Sequence, residues 1–285
     1  MRFSDARIDS FIAEDVPYID LTCEVLGIDA QPGVMEYFTR EDCVLAGTDA
    51  ARHIMGKLDC EVVFAASDGQ RLSAGETFFT VQGNAADLHA AWKVCLNVFD
   101  HLSAVATKTR AMVDAAHAVN PACEVLTTRK SMPGAKDLLT CAVMAGGAFP
   151  HRLGLSETVL VFDQHLTFFG GFDRFLEELP RIKSRCVEKK LFVEAEADRA
   201  LVLAQTSADG RGVDGIQLDK VPVAQLDGLV RRLRGIDPRL TIIAAGGINS
   251  QNAGVYAACG VDGLATTAPF TAKPIDMSVR MRETR

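Results

Sequence analysis

Beyond Asn120-Pro121 the chain repeats one unit six times: a short, almost continuously apolar run, a polar turn, then an amphipathic segment. The runs are Glu124–Thr127, 158–162, 191–194, 215–218, 240–244 and 262–266. Strands buried on both faces of a parallel sheet read as unbroken apolar runs, whereas one-faced antiparallel strands alternate. Helices are predicted between them at 135–145, 172–187, 197–205, 223–234 and 251–259. Six β/α units restrict the fold to a closed barrel or an open doubly wound sheet. Both place ligands at the C-terminal ends of the strands.

The first 120 residues follow other periods. "GVMEYFTREDCVLAG" and "CEVVFAASDGQRLSAGETFFTVQG" alternate apolar and polar residues and break at Asp68-Gly69 and Ala74-Gly75. That is strand and hairpin patterning. Residues 84–119 then contain no proline or glycine, and their apolar positions recur at three and four. One long helix or two nearly continuous ones are predicted, with Asn84 as N-cap and Asn120-Pro121 as the stop. The predicted division is an α+β sandwich at 1–118, an α/β barrel at 119–269, and a segment 270–285 that packs back on the first domain.

Composition narrows the function classes. The 285 residues carry a net charge of −7, which excludes the basic face of a non-specific nucleic-acid binder. With 48% apolar and 24% charged residues, the chain can bury a large core. The N-terminus, "MRFSDARIDSFIAEDVPYID", lacks the apolar region of a signal peptide, and no apolar stretch is long enough to span a bilayer. A soluble cytoplasmic protein is expected. Its eight cysteines form no CxxC pair and its six histidines are scattered, so spacing indicates reduced core thiols rather than a zinc site.

Polar residues follow every predicted barrel strand. Arg129 and Lys130 follow the first, Asp163 and His165 the second, Glu194 and Glu196 the third, Asp219 and Lys220 the fourth, Gly246 and Gly247 the fifth, and Thr266 and Thr267 the sixth. "PHRLGLSE" adds His151 and Arg152 before the second strand. Arginine's planar fork suits a carboxylate, and a lysine ammonium suits a phosphate. Gly246-Gly247 ahead of a helix suits phosphate binding. Glu194 and Asp219 suit a ribose diol or a divalent ion. Ordinary rim ion pairs and a glycine turn are the bland alternatives. A cationic bowl facing carboxylates and a phosphate loop fits phosphoribosyl transfer, in which pyrophosphate leaves as positive charge develops on the ribose.

"TTRKSMPG", "HRLGLSE", "DQH", "VEAE", "LDK", "AAGGIN" and "GVDG" occur in the order seen in quinolinate phosphoribosyltransferases, and "LNVFDHLSAVAT" resembles that family's helix motif. The resemblance covers nearly the whole chain. It implies an open-faced sandwich, a six-stranded α/β barrel, and a homodimer with shared active sites. It implies that Arg129, His151 and Arg152 hold an acid substrate, that Lys130 contacts phosphoribosyl pyrophosphate, and that Glu194 and Asp219 face ribose and Mg²⁺. Gly246, Gly247 and the turn Gly263–Thr267 would hold the 5′-phosphate. Lys93, on the long helix, would reach the neighbouring subunit's site.

The chain also departs from that pattern. Phe162 stands where the family has lysine, Lys93 where it has arginine and Lys220 where it has asparagine. Glu157 replaces aspartate, and Ala104 replaces the motif glycine. These changes resemble the family's ModD branch, associated with molybdenum transport. Two other readings compete: a non-catalytic anion or metabolite binder, and a phosphate-barrel aldolase with Lys130 as Schiff base.

Overall fold

The computed structural model describes residues 3–208 and 210–284; residues 1, 2, 209 and 285, the two outer limits of the predicted division among them, lie outside the described residues. Contacts divide the chain into two compact units, 3–110 with 132–147 and 270–284, and 111–131 with 148–269. The division differs from the predicted one at 118/119. It cuts the long helix, and it puts helix Lys136–Ala145 in the first unit. Gly146 shows why: a Cβ there would lie 2.4 Å from Thr109 Cβ and 2.8 Å from the Ala106 carbonyl oxygen. That helix therefore ends hard against the long one.

The first unit is α+β. Its antiparallel sheet runs in the order Met277–Glu283, Pro32–Thr39, Thr77–Asn84, Glu61–Ala65. Helix Ala85–His117 is one uninterrupted element of 33 residues. Asn84, expected as its cap, directly precedes the first helical residue and is also the last residue of the preceding strand. Tyr37, Phe78, Phe79 and Phe99 are fully buried between sheet and helix. Phe78 and Phe99 meet edge-on at 4.9 Å, as the aromatic quadrupole favours. Each such ring contributes roughly 1.5–3 kcal/mol by leaving water.

The second unit is a parallel sheet wound with helices. Its order is Phe149–Pro150, Glu124–Thr127, Gly263–Thr266, Thr241–Ala245, Gly215–Asp219, Leu191–Ala195, Val159–Val161. All six expected strands are present. One strand more than the six is present: a seventh, two-residue strand pairs with Glu124–Thr127, and among the described residues no ladder joins it to Val159–Val161. The sheet is nevertheless curled. Leu126 and Leu160, from strands near its opposite ends, share one interior cluster with Phe192, Ile243, Ala245, Ala265 and Phe162. Gly215 makes room for that cluster, since a Cβ there would meet the Phe192 ring at 2.2 Å. No helix among the described residues is long and apolar enough to cross a membrane.

Candidate active site

Ladder register aligns the strand ends. Gln217 pairs with Glu194, Asp219 with Ala245, Ala245 with Ala265, and Thr127 with both Thr266 and Pro150. Residues just beyond these positions therefore gather on one rim. Two-residue periodicity also puts Phe162 and Glu194 on the same sheet face as the interior residues Leu160 and Phe192.

One side of the rim is cationic. Thr128 and Thr267 share a hydrogen bond of 2.8 Å, and the Lys130 N–H donates to Thr128 Oγ1 at 3.3 Å. This hydroxyl pair fixes the turn that carries Arg129 and Lys130, both exposed. The Arg152 guanidinium is held below its usual value by burial and then by the nearby Arg129 charge, with Glu157 opposing. Neither Arg129, Lys130 nor Arg152 forms an ion pair among the described residues. Adjacent positive charges without a carboxylate partner are poised for an anion. Burial and then the Arg152 charge depress the His151 pKa, so this member of the predicted bowl holds a proton less readily than an exposed histidine.

Phe162 fills the position between these cations and the second strand. Arg152 lies over its ring at 5.7 Å, and His165 stacks on it at 5.7 Å. His165 and Asp163, expected just beyond the second strand, lie there in the first turn of helix Asp163–Phe169. The His165 Nδ1 accepts the Phe162 N–H at 3.0 Å, and Asp163 is paired with Arg199 at 2.6 Å.

The opposite side is acidic. Glu194 is half-buried and accepts from Gln217 Nε2 at 2.5 Å. Burial pushes its carboxyl above the ordinary range; the Gln217 bond opposes this, Asp219 adds to it, and Lys130 and Lys220 pull it back. The two cations thus share an electrostatic neighbourhood with the two carboxylates. Asp219 is itself paired with Lys220 at 3.3 Å. No further His, Cys, Asp or Glu joins Glu194 and Asp219 in a metal-holding group among the described residues. Two carboxylates fit a Mg²⁺ ion that keeps waters and rides on substrate phosphates, not an ion caged by protein alone.

Glu194 makes a prediction about stability. A carboxyl whose folded pKa is raised contributes stability that is full below its unfolded pKa and is lost as pH rises through the folded one. Glu194→Gln is therefore expected to raise Tm at pH 7, with the difference from the natural chain closing as pH falls through the glutamate range. Thermal melts at several pH values check this. A Tm difference independent of pH would contradict the raised Glu194 pKa and its main cause, burial of the carboxyl.

The glycine turn is rigid. Gly246 and Gly247 have φ of 95° and 71°. The Asn252 and Asn249 side-chain amides both donate to the Gly247 carbonyl, at 3.1 and 3.3 Å. The helix beyond is shorter than expected: it spans only Ala253–Ala257, with Asn252 preceding it. Two other expectations are corrected. Thr266 is 3% exposed; its hydroxyl donates to the Ile248 carbonyl and accepts from the Ala268 N–H, so it braces the turn. Gly263 begins its strand, at the end away from the rim, and a Cβ there would press on Leu126 at 3.0 Å. Lys93 lies in the first unit, exposed on the long helix with its ammonium 4.6 Å over the Trp92 ring. Gln217, Thr128 and Arg199 were not singled out from sequence. Gln217 carried a signal, being the one polar side chain inside the run "GIQLD" ahead of its terminal aspartate.

Comparison with known proteins identifies this arrangement. Residues 105–280 match the family "Quinolinate phosphoribosyl transferase, C-terminal domain", and residues 20–103 match its N-terminal domain. The ModD protein of Pasteurella multocida (strain Pm70) is 35% identical over 278 residues, covering 97% of both chains. That of Rhodobacter capsulatus is 39% identical over 249 residues, covering 87% of this chain and 94% of its own. The nicotinate-nucleotide pyrophosphorylase (carboxylating) of Mycobacterium leprae (strain TN) is 34% identical over 233 residues, covering 80% of this chain and 79% of its own. Among solved structures, NadC from Streptococcus pyogenes superposes with a TM-score of 0.88 at 24% identity, each chain covered completely. The fold, the ordered rim and the match of both domains lead to one conclusion: the chain belongs to the quinolinate phosphoribosyltransferase family.

Proposed function

We propose that the chain transfers phosphoribose from phosphoribosyl pyrophosphate to a quinolinate-like acid and releases pyrophosphate, in the manner of a nicotinate-nucleotide diphosphorylase (carboxylating). The observation that carries the reading is the unpaired cationic rim of Arg129, Lys130 and Arg152 set against Glu194 and Asp219. In this reading Arg129 and Arg152 bind the acid, helped by His151. Lys130 draws charge from the departing pyrophosphate. Glu194 and Asp219 stabilise the cationic ribose, and the Gly246-Gly247 backbone and Thr267 seat the 5′-phosphate. Mg²⁺, when bound, would supply charge neutralisation on the pyrophosphate, with Glu194 and Asp219 as its carboxylates. A homodimer in which Lys93 reaches the neighbour's site is part of the proposal.

The test is pyrophosphate release from phosphoribosyl pyrophosphate, Mg²⁺ and quinolinate, with nicotinate mononucleotide and carbon dioxide as products. Release with another acid only would remove quinolinate and keep the reaction class. A second reading, an anion binder without turnover, is favoured by one observation, the aromatic Phe162 in place of the family's lysine. Calorimetric binding of oxyanions with no nucleotide formed would establish it in place of transfer.

Phe162→Lys is the matching prediction. A charge-assisted hydrogen bond contributes about 1.5–3 kcal/mol, so kcat/KM for quinolinate is expected to rise on the order of 10- to 100-fold. Steady-state kinetics with quinolinate check it. No gain would mean that this position does not set acid preference.

A further inference from the structure

We propose that Asp20, Cys23 and His89 form a binding site for a transition-metal ion of the zinc class, in the first unit. A carboxylate oxygen of Asp20, Sγ of Cys23 and a ring nitrogen of His89 lie within 4.8 Å of one another. Around an ion with bonds of about 2.0–2.3 Å, donors at such separations need only a small contraction. The donor set is one oxygen, one sulfur and one nitrogen, which suits a borderline ion and disfavours Mg²⁺ or Ca²⁺.

Asp20 is already held by its own hydrogen bonds. Asp20 caps helix Leu21–Leu26: its Oδ1 accepts the N–H groups of Thr22 at 2.9 Å and Cys23 at 3.1 Å. Both bonds fall on one oxygen, which leaves Oδ2 for an ion. Cys23, 1% exposed, is the third residue beyond the cap, and its Sγ lies within 4.8 Å of an Asp20 carboxylate oxygen. An ion would displace the thiol proton to solvent as the S–metal and O–metal bonds form.

The histidine supplies an independent observation. His89 Nδ1 lies 2.7 Å from the Ala85 carbonyl oxygen. A carbonyl can only accept, so Nδ1 donates, and in the neutral imidazole the lone pair is then on Nε2. Ligating histidines typically have this arrangement, with the far ring nitrogen bonded to a backbone carbonyl. Trp92 meets the imidazole edge-on at 6.3 Å and restricts its rotation. Thiolate and carboxylate together neutralise a divalent ion, and three protein ligands leave one tetrahedral position for water. The ion would clip the short N-terminal helix to the first turns of the long one.

The full-length chain, stripped with chelator and kept reduced, is titrated with Co²⁺. One equivalent is expected to bind with intense near-ultraviolet thiolate-to-cobalt absorption, and Zn²⁺ should bleach that band stoichiometrically. Cys23→Ser should abolish the band. His89→Gln and Asp20→Asn should each weaken binding at least ~100-fold, while circular dichroism stays unchanged; Asn at position 20 preserves the helix cap. Zn²⁺ should raise Tm in the natural chain and not in Cys23→Ser. The proposal is overturned if the natural chain shows no thiolate band. It is equally overturned if the band survives Cys23→Ser, which would place cobalt on another of the eight cysteines.

Discussion

Lys130→Ala is expected to lower kcat/KM for phosphoribosyl pyrophosphate by about 10²–10³, the usual effect of removing one group aimed at developing negative charge. The side chain is exposed and forms no ion pair among the described residues, so its loss should leave Tm nearly unchanged. Lys130→Arg keeps the charge and should recover part of the rate. A second readout separates charge from shape. Lys130 lowers the Glu194 pKa, so its removal should move the Glu194-dependent limb of the pH–rate profile upward. Arg129→Ala should instead raise KM for the acid. Full activity in Lys130→Ala, measured as pyrophosphate release, would remove Lys130 from the reaction and with it the assignment of the cationic rim.

The parts of the fold legible in sequence are those whose burial leaves a compositional trace. Six strands covered on both faces became six apolar runs, and their C-terminal ends became polar clusters that the ladder register brings into line. The strand Phe149–Pro150 left no trace, because two residues cannot show a period and a proline marks an edge at most. Helix Asp163–Phe169 was hidden because its N-terminal turn is closed by His165 reaching back, in place of the usual glutamate or glutamine. Protonation at the site was beyond reach for a different reason: the lowered His151 pKa comes first from burial, and the raised carboxyl of Glu194 comes from burial and from neighbours distant in sequence. Cysteine spacing indicated free core thiols, and all eight are free, six of them buried; it could not show which residues the fold brings to them. Cys23 meets His89 only because the short helix lies against the long one, so a motif scan tuned to close pairs could not join them.

The glycine turn shows how tightly the two halves of the rim are interlocked, and Gly246→Ala tests it. A Cβ there would lie 2.8 Å from the Lys220 backbone nitrogen, 2.5 Å from Lys220 Cγ and 3.1 Å from Asp219 Oδ1. The Lys220 nitrogen is not free to retreat, since its N–H is bonded to the Ala245 carbonyl at 2.8 Å. The backbone at Gly246 is also at φ 95°, outside what an L side chain adopts without strain of about 1–3 kcal/mol. Something must give, and the nearest movable element is the Asp219-Lys220 turn that carries a site carboxylate. Gly247→Ala is the control: its φ of 71° costs similar strain, but nothing lies within 4 Å of the added methyl. Gly246→Ala is therefore expected to lose at least ~100-fold in kcat, as displacement of a catalytic group by about 1 Å can cause. Its Tm should fall further than that of Gly247→Ala. Lys220 is itself at φ 54°, a conformation that glycine adopts without cost and asparagine tolerates better than lysine. Lys220→Gly relieves that strain and the Cγ contact together, so it should recover part of the stability lost in Gly246→Ala while the backbone contact keeps activity low. Equal kinetics for the Gly246 and Gly247 variants would separate the glycine turn from Asp219 and leave the glycine and carboxylate sides of the rim mechanically independent.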